Sequence, residues 1–191
     1  PTIYYQVRKF KPRIKKEFKV TLNDFQIGEL IGAFAGDGNY YHQKYDPRFP
    51  NRANHHRVRY FLTFSKEQEY ADYLKNLLKK LDLNPHIIER DESVSIVTVN
   101  SKEYINFIKS YVTWEGDKTF TIRLKEAISY YSSEFLNGFA RGLMDTDGFL
   151  NASNAACACI SEKLMNNLAE IFIKNNLEIT RTKLARGGNT R

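Results

Sequence analysis

The chain has 191 residues, a net charge of +7 and 42% hydrophobic residues, with only two cysteines. No uninterrupted apolar run approaches the roughly 18 residues that a membrane helix needs, and the basic start lacks the apolar stretch of a signal peptide. This composition excludes a membrane-spanning protein and a disulfide-stapled scaffold. We therefore expect a soluble, intracellular, globular protein.

The positive charge is concentrated in an N-terminal arm, residues 1–20. The arm carries seven basic side chains against Glu17 alone, and these are Arg8, Lys9, Lys11, Arg13, Lys15, Lys16 and Lys19. Such an excess favours a polyanionic partner, because lysine and arginine neutralise phosphates. The arm either follows a phosphate backbone or is a solvated tail, and the sequence leaves both readings open.

The main feature of the chain is a stretch that occurs twice, at residues 25–38 and 135–148. Each copy contains two glycines four residues apart and ends in Asp-Gly, at Asp37 and Asp147. Each copy also follows a residue that can cap a helix, Asn23 in the first copy and Ser132 or Ser133 in the second. Both copies are therefore predicted to be helices that end at Asp-Gly.

The paired glycines predict that the two helices pack against each other. Glycine in a helix interior costs up to about 1 kcal/mol relative to alanine, so its repeated use needs a reason. Small residues four apart lie on one face and permit close approach of two backbones. We expect Gly28 and Gly32 of the first helix to meet Gly138 and Gly142 of the second.

The acids at the two helix ends indicate a divalent cation. A helix C-terminus carries partial negative charge, so a carboxylate there is unfavourable unless a positive charge lies beside it. If the helices pack side by side, Asp37 and Asp147 lie together near free carbonyls of Gly36 and Thr146, which would form an oxygen-rich Mg²⁺ site. The alternative is that each Asp-Gly merely starts a hairpin.

The rest of the first copy alternates between hairpins and helices. Strands are predicted at 39–45, 57–64, 86–90 and 94–99, and helices at 67–81 and after the N-cap Ser101. The long loop before the second strand contains His55 and His56. Adjacent strand residues point to opposite faces, so these histidines favour surface or phosphate contact over a shared metal ion.

The second copy repeats this order with a shorter hairpin loop. A helix is predicted at 162–176 and a strand at 179–186. The sequence stops one residue into the return strand, so we expect the natural chain to extend past Arg191. Cys157 and Cys159 would lie on one face of one strand as small packing residues. The predicted organisation is a basic arm (1–20), a first half (21–112), a connector (113–131) and a second half (132–191).

Nine residues of each copy, LIGAFAGDG at 30–38 and ARGLMDTDG at 140–148, resemble the motif that names the LAGLIDADG homing endonucleases in their single-chain form with two motifs. At the sixth position Asp145 is present but Ala35 replaces the acid. The resemblance implies an α+β fold of two pseudo-twofold-related α/β halves, each ordered helix-hairpin-helix-hairpin-helix. Curved antiparallel sheets would bind DNA, and the motif helices would pair at the interface.

The resemblance also implies an activity. A family member of the intron-encoded type would be a monomeric endonuclease that hydrolyses both strands of a long double-stranded DNA target with Mg²⁺ and leaves 3′ overhangs. Asp37 and Asp147 would share two or three divalent ions. Lys118 stands where the family often places a basic residue near the cleavage centre, although a solvated lysine is the alternative. Ser65 and Ser161 replace a glutamine found in many members.

Other functions on the same scaffold remain open. A non-cleaving maturase that acts in RNA splicing, or a DNA-binding regulator, needs the paired helices but not the acids. Both Asp37 and Asp147 are intact, which favours the nuclease.

Alternation along the predicted strands gives the residues that would contact DNA. Arg57, Arg59 and Thr63 alternate with the apolar Val58 and Leu62, which indicates a strand with one buried and one open face. Outward residues of such strands reach base edges in the major groove. The full set of candidates is Tyr40, His42, Lys44, Arg57, Arg59, Thr63, Arg90, Asn151, Ser153, Arg181, Lys183 and Arg186.

Overall fold

The structure is a computed structural model that describes residues 18–43, 55–90, 94–150 and 154–180, without the side chains of Gln43, residues 64–66 and Arg90. Six DNA-binding candidates lie outside the described residues: Lys44, Asn151, Ser153, Arg181, Lys183 and Arg186. Most of the basic arm lies outside them too. What is described is a mixed fold of helices and antiparallel sheets.

The N-terminal part forms one four-stranded antiparallel sheet with helices on one face. Its elements are α1 (Asp24–Ala35), β1 (Gly38–Gln43), β2 (His55–Thr63), α2 (Phe64–Lys80), β3 (His86–Arg90), β4 (Val94–Asn100) and α3 (Lys102–Tyr111). The strands lie in the order β1-β2-β4-β3. The predicted succession of helix, hairpin, helix, hairpin and helix is therefore found in this part.

The C-terminal part contains shorter elements. They are β5 (Val112–Thr113), α4 (Lys118–Thr121), β6 (Arg123–Leu124), a 3-10 turn (Ile128–Tyr130), α5 (Ser133–Asp147), β7 (Gly148–Leu150), β8 (Ala155–Cys157) and α6 (Glu162–Lys174). The predicted connector thus contains a small β5–β6 pair and a short helix. Residues 179 and 180 are not in a strand, and the rest of the predicted strand at 179–186 lies outside the described residues.

Side-chain caps fix where the main helices begin. The Asn23 side chain accepts from the Gln26 amide at 2.9 Å, and Ser101 accepts from the Tyr104 amide at 3.0 Å. Ser132, and not Ser133, caps α5. Each cap satisfies a backbone N–H that the first helical turn leaves without a partner.

The core lies between α1 and the sheet on one side and between α1 and α5 on the other. Every residue of α1 from Ile27 to Ala35 is buried, including the polar Glu29. A helix that is buried all round needs partners on all sides, and α5, α2 and the sheet provide them. The helices of the described ranges include none that is long and apolar enough to cross a membrane.

The sequence prediction that Tyr40 and His42 lie on the open face of the sheet is wrong, whereas their contact with DNA stays a prediction, and Tyr40 lines the cleft described below. Tyr40 pairs with Val58 and His42 pairs with His56, so Tyr40 and His42 lie on the helix-covered face of the sheet and not on its open face. The cause is the register, because β1 begins directly after the end of α1 with Gly38 opposite the buried Tyr60. A shift of one residue moves a whole strand to the other face.

The histidine and cysteine predictions also need correction. His55 and His56 begin β2 and are not in the loop before it, whereas Cys159 lies beyond the end of β8. Both Cys157 and Cys159 are free thiols, half-buried against the core, so their predicted packing role is confirmed.

Candidate metal and nucleic-acid site

The four interface glycines lie where α1 and α5 come closest. A Cβ built on each would meet a backbone oxygen of the other helix, at 2.1 Å for Gly28, 2.1 Å for Gly32, 2.0 Å for Gly138 and 2.2 Å for Gly142. Real Cβ atoms do not approach oxygen so closely, so no side chain fits at these positions. Close contact of the two backbones aligns the C-terminal ends of both helices.

Asp37 and Asp147 meet at these aligned ends. Both line one cleft, and a Cβ built on Gly36 would lie 3.3 Å from the Asp147 carboxyl carbon. The two acids are also held alike, because each carbonyl oxygen accepts from a hairpin amide. Phe61 donates to Asp37 at 3.2 Å, and Ala158 donates to Asp147 at 3.3 Å. The structure thus brings together the two acids that the sequence predicted to be neighbours.

The carboxylates are in an environment that favours a cation. Burial, then the charge of Asp147 and that of Glu67, raise the pKa of Asp37 to about 6, against a smaller opposite effect of Lys118. Burial also raises the pKa of Asp147. Two desolvated carboxylates in one cleft repel each other, and a hard divalent cation would relieve that repulsion.

The donor set is sparse but suited to Mg²⁺. Within the described ranges, no three histidine, cysteine or acidic side chains gather as a metal site. Mg²⁺ is commonly held by one or two carboxylates and completes its shell with water and phosphate oxygens. Two aspartates that face an open cleft therefore fit this ion when a nucleic-acid phosphate lies beside them.

Lys118, for which the sequence left two readings open, lies at the end of α1. Its Nζ donates to three consecutive carbonyls at the end of α1, those of Phe34 and Ala35 at 2.8 Å each and that of Gly36 at 3.0 Å. The reading as a solvated lysine is therefore wrong, and so is the expectation that the Gly36 carbonyl is free. A cation at a helix C-terminus is stabilised by the carbonyls that the helix leaves without donors.

Thr146, the other expected carbonyl ligand, packs against α1. Its hydroxyl donates back to the carbonyls of Gly142 and Leu143 within α5. A Cβ on Gly36 would lie 2.2 Å from this hydroxyl oxygen. The threonine therefore keeps the two helix ends in contact.

Replacing Lys118 by methionine should change how stability depends on pH. Burial lowers the pKa of Lys118 from 10.5 to about 8, although Asp147 and Asp37 oppose the shift. Between those two values the unfolded chain binds more protons, so the stability of the wild type rises with pH. From pH 7.5 to 10, the free energy of unfolding of the wild type relative to Lys118→Met should rise by about 2 kcal/mol.

Urea denaturation at both pH values in metal-free buffer measures this difference. Lys125→Met, at an exposed lysine, is the matched control and should show no such trend. A constant difference between the wild type and Lys118→Met across the range would contradict the buried position of Lys118.

The cleft has a volume of about 640 Å³. It opens between the ends of α1 and α5 and the strands that follow them. Its lining includes residues that the sequence did not indicate, namely Asn39, Phe61, Trp114, Asp117, Thr119 and Cys159. Trp114, Asp117 and Thr119 come from the connector, for which the sequence pattern gave no signal.

The open face of the four-stranded sheet begins beside the cleft. Arg57, Arg59 and Thr63 lie on it as predicted, and Arg57 donates to the Asn100 side chain at 3.1 Å. Arg90 pairs with Val94 on the edge strand β3, and its side chain is not among those that the structure describes. The register adds Asn39, Tyr41, His86 and Asn100 to this face, which sequence reasoning missed.

Tyr40 and His42 instead form an aromatic cluster on the covered side. The Tyr40 hydroxyl and His56 Nδ1 are 2.7 Å apart, and the rings of His42 and His56 stack with centroids 4.3 Å apart. The Lys109 ammonium lies 5.2 Å from the Tyr40 ring centroid. This position explains why Tyr40 and His42 do not extend the basic open face.

Asp145, the acid at the sixth motif position, is not among the residues that line the cleft. Asp145 pairs with Arg141 at 3.6 Å, and Arg141 pairs with the buried Glu29 at 3.3 Å. The Tyr73 hydroxyl also donates to Glu29. These contacts join α1, α2 and α5, so Asp145 has a structural partner, whereas Ala35 at the same position of the first motif lines the cleft.

Ser161 is likewise structural. It is buried, caps α6 through the Leu164 amide and donates to the Ile122 carbonyl at 2.7 Å. It is therefore held inside the protein and is not among the residues that line the cleft. The side chain of Ser65 lies outside the described part of the chain.

Comparison with known proteins shows the fold. No family model matches the chain. A curated relative, the uncharacterized protein MJ0398 of Methanocaldococcus jannaschii, is 22% identical over 159 residues, which are 81% of this chain. The chain spans about half the length of that relative, 50%.

Several solved structures of the homing endonuclease I-DmoI are similar to this chain. The complex with DNA and Ca has a TM-score of 0.61 at 18% identity, over 80% of this chain and 73% of that chain. The complex with DNA and Mn has a TM-score of 0.60 at 22% identity, over 84% and 82%. A structure from a study of mesophilic variants has a TM-score of 0.60 at 18% identity, over 80% and 78%. The chain therefore has the fold of the homing endonuclease I-DmoI.

Proposed function

We propose that this protein is a site-specific DNA endonuclease of the LAGLIDADG homing type that hydrolyses both strands of a long duplex target. The observation that carries the proposal is the pair of aspartates at the ends of two helices in backbone contact, beside a sheet face with two arginines. The fold of I-DmoI, which has been solved with its target DNA and Mg, supports it.

Asp37 and Asp147 would hold the divalent ions, whose chemistry is activation of water and stabilisation of the leaving 3′ oxygen. Mg²⁺ is the proposed ion, with two or three ions shared between the acids. The raised pKa of both carboxyls fits a role as ligands, because their negative charges lack sufficient compensation in the metal-free chain. Gly36 and Thr146 would shape the helix ends and would offer backbone carbonyl oxygens to the ions.

Lys118 would act as a fixed cation next to the reacting phosphate. Its ammonium is anchored on the last carbonyls of α1 and lines the cleft together with both aspartates. A partly buried positive charge that is already in place stabilises the charge developing on a phosphate without reorganisation. Solvent would serve as the base, because no described histidine lines the cleft.

DNA would lie along the open face of the sheet. Arg57 and Arg59 can donate to guanine, and Thr63 and Asn100 can contact base edges or phosphates. The candidates outside the described residues would extend this interface, and the basic arm would add a salt-dependent share of affinity. The matching aspartate contacts support two pseudo-twofold-related halves. The proposed protein would act as a monomer and leave 3′ overhangs, as the resemblance in sequence implies.

A cleavage assay on a duplex library tests the proposal. The library carries candidate insertion sites without an intron, and the ends are sequenced after incubation with Mg²⁺. We expect double-strand cuts at one site with 3′ overhangs, and none in EDTA. Enrichment of a bound site without cleavage would contradict the nuclease and identify a DNA-binding regulator. Preferential binding of structured RNA would identify a maturase.

A further inference from the structure

The open face of the four-stranded sheet is arranged in rows across the strands. Paired residues place Asn39, Arg59, Thr98 and His86 in one polar row, and Tyr41, Arg57 and Asn100 in the next. The row nearest the cleft differs. It consists of Phe61, Ile96 and Ile88, here called the apolar row, and Phe61 opposes Ile96 while Ile96 opposes Ile88.

The apolar row begins at the metal cleft. The Phe61 amide donates to the Asp37 carbonyl, and its side chain lines the same cleft. Ile96 on the central strand is 7% exposed and forms the floor of the row, whereas Ile88 at the other end is 50% exposed. Ile88 therefore contacts Ile96 on one side and leaves half of its side chain open to solvent at the end of the row.

The second sheet, beside the second aspartate, resembles the first only in part. Phe149 pairs with Ala156, and the Ala158 amide donates to the Asp147 carbonyl. Phe149 is 48% exposed. The second sheet therefore carries an exposed aromatic side chain, and the small Ala158 stands there in the place of Phe61.

Duplex DNA offers one apolar group in the major groove that such a surface can contact. Thymine carries a C5-methyl group there, and no other unmodified base does. The row on one side of the apolar row contains Arg59 and His86, and the row on the other side contains Thr63, whose positive or polar groups complement phosphates and base edges. The flanking charge thus favours nucleic acid over an apolar protein partner.

We propose that the apolar row recognises thymine C5-methyl groups, so that the target carries thymine close to the cleaved bonds. The inference rests on the proposed function, because it requires DNA on the open face. Successive rows are about 6.8 Å apart, since each strand residue rises by about 3.4 Å, which corresponds to about two base pairs. The apolar row would therefore read about two adjacent base pairs, with guanine-directed arginines farther out.

Replacing thymine by uracil in the bound DNA tests this inference. The full chain first selects its preferred duplex from a random library in EDTA, and each thymine of that duplex is then replaced singly. Uracil keeps the pairing and the O4 acceptor and lacks only the methyl group. At the positions that meet the row, binding should weaken about fourfold, as expected for the loss of one buried methyl contact.

Variants assign the effect to the row. Ile88→Ser should bind the thymine and uracil duplexes equally. Because Ile88 is half-exposed, we expect this variant to fold. Ile173→Ser is the matched control, since Ile173 is 59% exposed on α6 outside the sheet and should leave the uracil effect intact.

The outcomes separate the two proposals. Failure to select any duplex would overturn the proposed function together with this inference. A selected duplex that binds equally well with uracil at every position would overturn the inference alone. A uracil effect that Ile88→Ser leaves unchanged would also overturn it, because the methyl contact would then lie elsewhere.

Discussion

Replacing Asp37 and Asp147 together by asparagine should abolish DNA cleavage and leave DNA binding near wild-type strength. The two carboxylates are the acids that the structure brings together in the cleft, and asparagine keeps their shape without their charge. Without its ligands the metal would no longer stabilise the transition state, and a loss of several kcal/mol there corresponds to a decrease in the cleavage rate of at least about 1,000-fold. Time courses with Mg²⁺ measure cleavage, and titration of labelled duplex in EDTA measures binding.

The same double variant should be more stable than the wild type at neutral pH in metal-free buffer. The pKa of Asp37 rises from 3.8 to about 6 on folding, so its favourable contribution is complete below pH 3.8 and is lost as pH rises through 6. At pH 7.5 the wild type therefore carries a penalty that asparagine removes. We expect about 1–2 kcal/mol, because solvent in the open cleft screens part of the shift.

Stability and activity would then change in opposite directions, which separates lost chemistry from lost folding. Asp145→Asn is the matched control, since Asp145 lies on the same helix but pairs with Arg141. It should retain most cleavage. Undiminished cleavage by the double variant would refute the assignment of the two acids, and an equal loss in Asp145→Asn would show that the effect is not specific.

The fold was predictable wherever local signals and repetition agreed. The caps at Asn23 and Ser101, the glycine spacing and the alternation of β2 each depend on neighbours within a few residues. The second copy of the motif then added long-range information, because two matched helices with small residues on one face have an obvious partner. That is why the pairing of α1 with α5 could be anticipated.

The rest depended on contacts between distant residues. Lys118 reaches carbonyls 82 to 84 residues earlier in the chain, and no local pattern encodes that approach. The faces of Tyr40 and His42 depended on where β1 begins, and one residue of uncertainty in a strand start reverses every side chain. The apolar row is visible only when the register of three strands is known.

The two aspartates share one backbone arrangement but have different surroundings. Lys118 stabilises the carbonyls at the end of α1, and the Glu29–Arg141 pair joins the helices on one side. The positions that match Glu29 and Arg141 in the other motif are Phe139 and Ile31, so this ion pair is not repeated by the twofold relation.

Replacing Gly32 by alanine should destabilise the protein by about 3 kcal/mol. The new Cβ would lie 2.1 Å from the Phe139 carbonyl oxygen and 2.9 Å from the Leu143 amide nitrogen, both backbone atoms of α5. The helices must separate to accept it, because backbone atoms cannot rotate away as a side chain can. For a chain of this size we expect the melting temperature to fall by roughly 6–12 °C.

The sign of this change distinguishes the interface from helix propensity. On propensity alone, alanine in place of glycine within a helix is stabilising by about 1 kcal/mol, so a free surface would raise the melting temperature. Glu134→Ala on the exposed side of α5 is the control and should alter stability by no more than about 0.5 kcal/mol. A higher melting temperature for Gly32→Ala would contradict the contact of the two helices. The same contact places Asp37 beside Asp147. The rate of DNA cleavage by Gly32→Ala should therefore fall by a larger factor than its folded fraction does.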